Sequence, residues 1–259
     1  MWCDTLMIEV QNLCKRFGQF EAVRDACFSA ASGEVLGFLG PNGAGKTTTL
    51  RMLTTYLPPS AGTALVGGFD IVGQAKQVRS VIGYLPERPP LYSELSVKEH
   101  LCLVGKLLGL FGSELQKRVA LVCEQCSLDP VRRVLCGKLS KGFQQRVGLA
   151  ATLIARPRVV ILDEPTSGLD PEQVVALRDL IRELGKDHTV LLSTHVLQEV
   201  AAVCDRVVIL AEGSVMRQFS LSELMDGKAD PVALLERTFL RAVASSDAGT
   251  LNRTPRRAA

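Results

Sequence analysis

No stretch of this 259-residue chain stays apolar for the roughly 18–20 residues that a membrane-crossing helix needs. The nearest candidate, residues 101–112, is short and carries Lys106. The first five residues, Met-Trp-Cys-Asp-Thr, lack the basic start and apolar core of a secretory leader, so a cytosolic protein is expected. Met7 would serve equally well as a first residue, because the strand pattern begins there. An excess of one charge is also missing. Thirty basic and 27 acidic residues leave a net charge of +3. Apart from Arg253, Arg256 and Arg257 the basic residues are spread out, so no nucleic-acid partner is expected. Eight cysteines are present, but only Cys123 and Cys126 form a C-x-x-C pair. No second pair and no paired histidines follow at ligand spacing, so the cysteines read as small reduced core residues. Hydrophobic residues make up 47% and mean hydropathy is +0.18, which excludes a disordered chain.

What is there is a phosphate-binding loop. Gly40, Pro41, Asn42, Gly43, Ala44, Gly45, Lys46 and Thr47 follow the mostly apolar run Glu34-Val-Leu-Gly-Phe-Leu39. Thr48 to Leu53 then reads as a helix. Strand, glycine loop, Lys-Thr and helix is the context such a loop requires. The glycines let backbone N–H groups close on phosphate oxygens, and the helix start adds its positive end. Lys46 is expected to reach the β- and γ-phosphates of a nucleotide, and Thr47 to ligate Mg²⁺.

Along the chain, residues 7–32 read as short strand segments around turns, an antiparallel layer leading into the loop. Residues 63–66 and 81–85 read as further strands. From about 88 to 155 the pattern turns helical, opened by the capping pair Ser96 and Glu99. Strands return at 159–162, 190–193 and 207–210, with a helix over 171–183. Strands alternating with helices predict an α/β fold, a mostly parallel sheet covered on both faces. The expected organisation is a nucleotide-binding domain over 7–215 with the helical insert at 88–155. A short helical extension over 216–244 and a disordered tail over 245–259 complete it. No internal repeat is visible, so one nucleotide site is expected.

In an open parallel sheet, ligands bind at the carboxyl ends of the strands. Three apolar runs end in chemically useful residues: the loop itself, Asp163 with Glu164, and Ser193-Thr-His195. Asp163 is suited to hold Mg²⁺ beside Thr47. Glu164, one residue further on, is the candidate general base for an attacking water. His195 is the candidate to orient that water and donate to the γ-phosphate.

These residues resemble the ATP-binding subunits of ABC transporters over roughly residues 8–211. Residues 40–47 match the Walker A motif, and Val159-Val-Ile-Leu-Asp-Glu-Pro165 matches Walker B. Ser140, Lys141, Gly142, Phe143 and Gln144 resemble the family signature. Ser167 to Asp170 resembles the D-loop, His195 the switch histidine, and Phe17 the aromatic that stacks on adenine. Thr48 closes the ATP-binding stretch. Gly83-Tyr-Leu-Pro-Glu87 and the Ile161–Pro171 run are similar to the ABC-2-type exporter branch, nearest the gliding-motility-associated ATPases. Two positions depart from the family pattern. Lys141 replaces a glycine, and Glu87 replaces the glutamine of the Q-loop, where an anionic oxygen can still ligate Mg²⁺.

The resemblance implies a P-loop ATPase that uses ATP and Mg²⁺. It works as a homodimer or heterodimer of ATP-binding subunits, with Ser140 and Gly142 serving the partner's ATP. It implies a separate integral-membrane permease and a place on the cytoplasmic face of the inner (plasma) membrane. The other reading is a soluble ABC-type mechanical ATPase acting on nucleic acid or the ribosome. No heptad array separates the Walker motifs and only one cassette is present, which speaks against it.

Overall fold

The computed structural model describes residues 6–224 and 231–250. The chain opens with β1 (Leu6–Phe17), β2 (Phe20–Ala31) and β3 (Val35–Leu39), then α1 (Lys46–Leu53), β4 (Ala61–Val66) and β5 (Phe69–Asp70). Next come α2 (Ala75–Val81), β6 (Ile82–Leu85), α3 (Val97–Leu107), α4 (Gly112–Gln125) and α5 (Lys141–Leu153). The second half holds β7 (Val159–Asp163), α6 (Pro171–Leu184), β8 (Thr189–Thr194), α7 (Leu197–Val203) and β9 (Arg206–Ala211). It ends with β10 (Ser214–Ser220), α8 (Leu221–Leu224) and α9 (Pro231–Thr250).

Two sheets result. A four-stranded antiparallel sheet has the order β2-β1-β4-β5, and a six-stranded sheet has the order β10-β9-β3-β8-β7-β6. In the second sheet every pairing is parallel except β10 with β9. Every residue of β3, β7 and β8 is buried, which is why these strands read as unbroken apolar runs without alternation. Strands β1 and β2 are each 12 residues long, where the sequence shows only short segments. Their pairing shifts register between Val10 and Leu13, and Asn12 and Asp25 take positive φ. Such bulges interrupt the alternation that marks a strand.

Three cores share the central sheet. One lies between the sheets, with Ile8, Phe28, Phe38, Leu50 and Leu191. A second sits under the helical insert, where Leu101, Val119, Val122 and Leu149 meet Leu85 and Leu162. Cys123, Cys126 and Cys136 are buried in it, and burial pushes all three thiols up, Cys126 to about 12. They serve as small apolar fillers. The third core joins Val200, Ile209 and Phe219 to Leu235 and Ala242 of α9.

The C-terminal region departs from expectation. Residues 214–220 are an edge strand on the main sheet, so the domain does not stop at 215. Helix α9 runs to Thr250, past the expected start of the tail at 245. No proline or glycine interrupts it between 232 and 248, so propensity carries it on. The rest of the expected tail, 251–259, lies outside the described residues. Among the described residues, no helix is long and apolar enough to cross a membrane.

Candidate functional site

Parallel register brings the three strand ends together. Leu39 pairs with Thr194, and Asp163 with Ser193, so the loop after β3 sits beside the ends of β8 and β7. Residues 40–47 then curl back over the edge. Gly45 has φ 96°, and a Cβ there would come within 2.6 Å of the Ala22 carbonyl oxygen. At Gly40 a Cβ would meet the Leu210 carbonyl oxygen at 2.5 Å. Only glycine fits this cradle, which leaves its backbone open to phosphate.

Lys46 begins α1 and is 6% exposed. Its Nζ donates to the carbonyls of Gly40 at 2.7 Å and Pro41 at 3.2 Å. It also lies 3.2 Å from Glu164 Oε1, an ion pair without hydrogen-bond alignment, and among the described residues that buried oxygen has no hydrogen-bond donor. Thr47 Oγ1 donates to Asp163 Oδ1 at 3.1 Å. The hydroxyl and the carboxylate are hard oxygen donors side by side, a set that fits Mg²⁺. Asp163 is 2% exposed. Burial raises its carboxyl above the ordinary carboxylate range, against the lowering by the Thr47 bond. Tyr84 Oη stands 3.5 Å from Asp163 Oδ2, and burial followed by the Asp163 charge pushes the phenol up to about 12.

Glu164 has φ 48°, a left-handed conformation that costs a β-carbon residue about 1 kcal/mol or more. Its amide donates to the Ser193 carbonyl and its own carbonyl accepts from Ser167 N, which together hold the turn. That turn aims the side chain back at the loop, where Oε2 accepts from His195 Nδ1 at 2.8 Å. With Nδ1 committed as a donor, Nε2 donates onward only in the imidazolium form.

The remaining sequence candidates stand apart from this cluster. Ser140 caps α5 by accepting from Phe143 N, and Asp170 caps α6 by accepting from Gln173 N at 2.9 Å. Gly142, Phe143 and Asp170 line a second depression of about 280 Å³ that does not include the P-loop. Lys141 lies over Gly168, where a Cβ would meet its Nζ. Glu87 is exposed, and it is its main-chain carbonyl that accepts from the buried Gln145 at 2.7 Å. Among the described residues its carboxylate makes no hydrogen bond to Thr47 or Asp163. Phe17 is 48% exposed at the end of β1, with Lys15 Nζ 5.2 Å from its ring centroid. Sequence reasoning missed Tyr84, Gln145 and Glu199, which are polar groups inside apolar patterns.

The family pattern for ABC transporters matches residues 23–167, more than half of the chain. The chain belongs to the ABC transporter family. This ATP-binding subunit is 36% identical over 228 residues to the ABC transporter ATP-binding protein NatA of Bacillus subtilis, covering 86% of this chain and 93% of that one. It is 36% identical over 230 residues to the doxorubicin resistance ATP-binding protein DrrA of Mycobacterium tuberculosis, covering 88% and 70%. It is 35% identical over 222 residues to the bacitracin transport ATP-binding protein BcrA of Bacillus licheniformis, covering 84% and 71%. Among solved structures, cbiO1 of Clostridium perfringens, part of the ABC transporter complex cbiONQ, superposes with a TM-score of 0.79 at 28% identity. That match covers 96% of this chain and 99% of that one. A pattern described as AAA domain, putative AbiEii toxin, Type IV TA system also matches residues 134–201, without the P-loop. The ATP-binding subunit is thus an α/β ATPase of the ABC type.

The buried Asp163 has a measurable consequence. A carboxyl whose pKa is raised on folding adds stability only below the ordinary carboxylate range, and that contribution is lost as pH rises through the folded value. At neutral pH the ionised group therefore weighs against the fold. Asp163→Asn is expected to raise the melting temperature at pH 7 without nucleotide, with the gain shrinking toward pH ~4. A lower melting temperature at pH 7 would contradict this account.

Proposed function

We propose that this subunit hydrolyses ATP to drive export through a separate integral-membrane permease of the ABC-2 type. Two such subunits, identical or paired with a relative, close head to tail on two ATP molecules. The observation that carries the reading is the separation of two half-sites in one chain. Lys46, Thr47, Asp163, Glu164 and His195 gather at the sheet edge, while Gly142 and Phe143, just past the Ser140 cap of α5, line a separate depression. A capped helix start with free N–H groups is an anion site, so it suits the γ-phosphate held by a second copy.

In this reading Phe17 stacks on adenine and the backbone of residues 40–48 wraps the phosphates. Thr47 and Asp163 would hold Mg²⁺, which would supply charge neutralisation, and the expected third ligand, Glu87, stands apart from them. Glu164 takes the proton of the attacking water, and His195 holds Glu164 and the γ-phosphate in register. Asp170 and its loop meet the partner. The drug-resistance and transport names of the relatives support export, and with it a position at the cytoplasmic face of the plasma membrane. Likeness to the gliding-motility-associated ATPases rests on the motif residues alone.

Light scattering tests the sandwich. In ATP and Mg²⁺ the mass is expected to rise from 28.0 kDa to about double. Ser140→Arg should still bind ATP, because its own P-loop is untouched, yet stay monomeric. A Ser140→Arg chain that dimerises like the wild type would remove the signature from the partner's site.

A further inference from the structure

Glu199 lies in the first turn of α7, four residues past His195, and is 3% exposed. Both of its carboxylate oxygens are taken. Thr194 Oγ1 donates to Oε2 at 2.7 Å, and Thr166 Oγ1 makes a short bond to Oε1. The two threonines belong to different loops. Thr194 ends β8 directly before His195. Thr166 follows Glu164 by two residues, and its carbonyl accepts from Leu169 N at 3.1 Å within the turn that leads to Asp170.

A local turn accounts for the Thr194 arm. Thr194 Oγ1 accepts from Val196 N at 3.0 Å, a hydroxyl-closed turn at the end of β8, and donates its own hydrogen bond to the glutamate. It does not account for the Thr166 arm, which comes from the end of another strand. Burying a carboxylate costs several kcal/mol unless its oxygens are paired. An apolar side chain would fill the same space without that cost. Two oxygens at fixed spacing do what an apolar side chain cannot: they fix the distance between two loops.

We propose that Glu199 is a positioning residue for hydrolysis. It clamps the turn carrying Glu164 to the loop carrying His195, which preserves the 2.8 Å contact between them. It acts through Thr166 and Thr194 and touches no substrate. The inference rests on the reading of Glu164 as the base and His195 as its orienting partner. It goes beyond that reading by assigning a buried residue the task of holding them. The clamp also sets the exit of the turn toward Asp170, so it ties the base to the loop that meets the second subunit.

The test uses the full chain with Glu199→Gln, Thr166→Val, Thr194→Val and the conservative Thr166→Ser and Thr194→Ser. Turnover, KM, fluorescent-ATP affinity and amide exchange at 167–169 are measured together, with Glu164→Gln as the control on the underlying reading. Glu199→Gln and both valine variants are expected to lower kcat about tenfold or more, since small misplacements at a reacting centre are costly. KM and ATP affinity should stay within about twofold, because the P-loop is untouched. Exchange at 167–169 should accelerate, and both serine variants should restore kcat. Unchanged kcat and exchange in a folded Glu199→Gln chain would overturn the clamp. So would serine variants as slow as the valine ones, which would mark a packing role. If Glu164→Gln itself turns over normally, the reading of the base fails, a result distinct from failure of the clamp.

Discussion

Glu164→Gln is expected to leave ATP binding intact while lowering turnover by about 10²–10⁴-fold, the span that general-base catalysis contributes. Glutamine keeps the size and one acceptor oxygen, so it can still meet His195 Nδ1 where Oε2 does now. It cannot accept the water's proton. Lys46 keeps both of its loop carbonyls, so the grip on phosphate survives. The nucleotide-bound dimer should then outlive that of the wild type in light scattering, because the step that reopens it is blocked. Parallel measurements of turnover and dimer lifetime check both halves. Wild-type turnover in the variant would strip Glu164 of the role. Lost turnover without a longer-lived dimer would separate the base from the opening of the sandwich.

The site was largely legible in the sequence because fully buried parallel strands leave a continuous apolar signature. Each of β3, β7 and β8 stops where its chemistry starts, at residues 40–47, Asp163 and His195. The P-loop was legible for a related reason: Gly40 and Gly45 face backbone carbonyls at distances no side chain tolerates. The antiparallel layer was harder, since positive φ at Asn12 and Asp25 breaks its alternation. Helix α2 (Ala75–Val81) went unread because it is one exposed stretch with Val78 its single buried residue. Glu199 was hidden for the opposite reason. A glutamate in the first turn of a helix looks like dipole compensation, and only the fold brings Thr166 to its second oxygen. Tyr84 reads as a strand aromatic, and the Asp163 carboxylate beside it is a tertiary fact. Pairings across strand ends are set by sheet order, which local pattern does not encode.

Lys46→Ala attacks the other half of the reaction and should cost binding before chemistry. This ammonium bridges the loop carbonyls and the Glu164 carboxylate from a nearly buried position. A buried cation held by two carbonyls and one carboxylate is poised to take phosphate oxygens at modest reorganisation. Hydrogen bonds to charged groups contribute about 1.5–3 kcal/mol each, so one such bond to the triphosphate corresponds to roughly 10–150-fold in affinity. Alanine is therefore expected to weaken ATP binding by about that factor and to abolish measurable hydrolysis and dimer closure. Arginine should not rescue it. Its planar fork is wider than an ammonium and would collide with the same carbonyls that seat Lys46. Glu164 Oε1 would also lose the ammonium 3.2 Å away. Combining Lys46→Ala with Glu164→Gln should then restore part of any stability lost in the single variant while leaving turnover absent, which thermal melting and calorimetry can separate. If ATP binds Lys46→Ala as tightly as the wild type, the phosphate grip lies in the loop backbone alone, and the lysine acts only on the transition state.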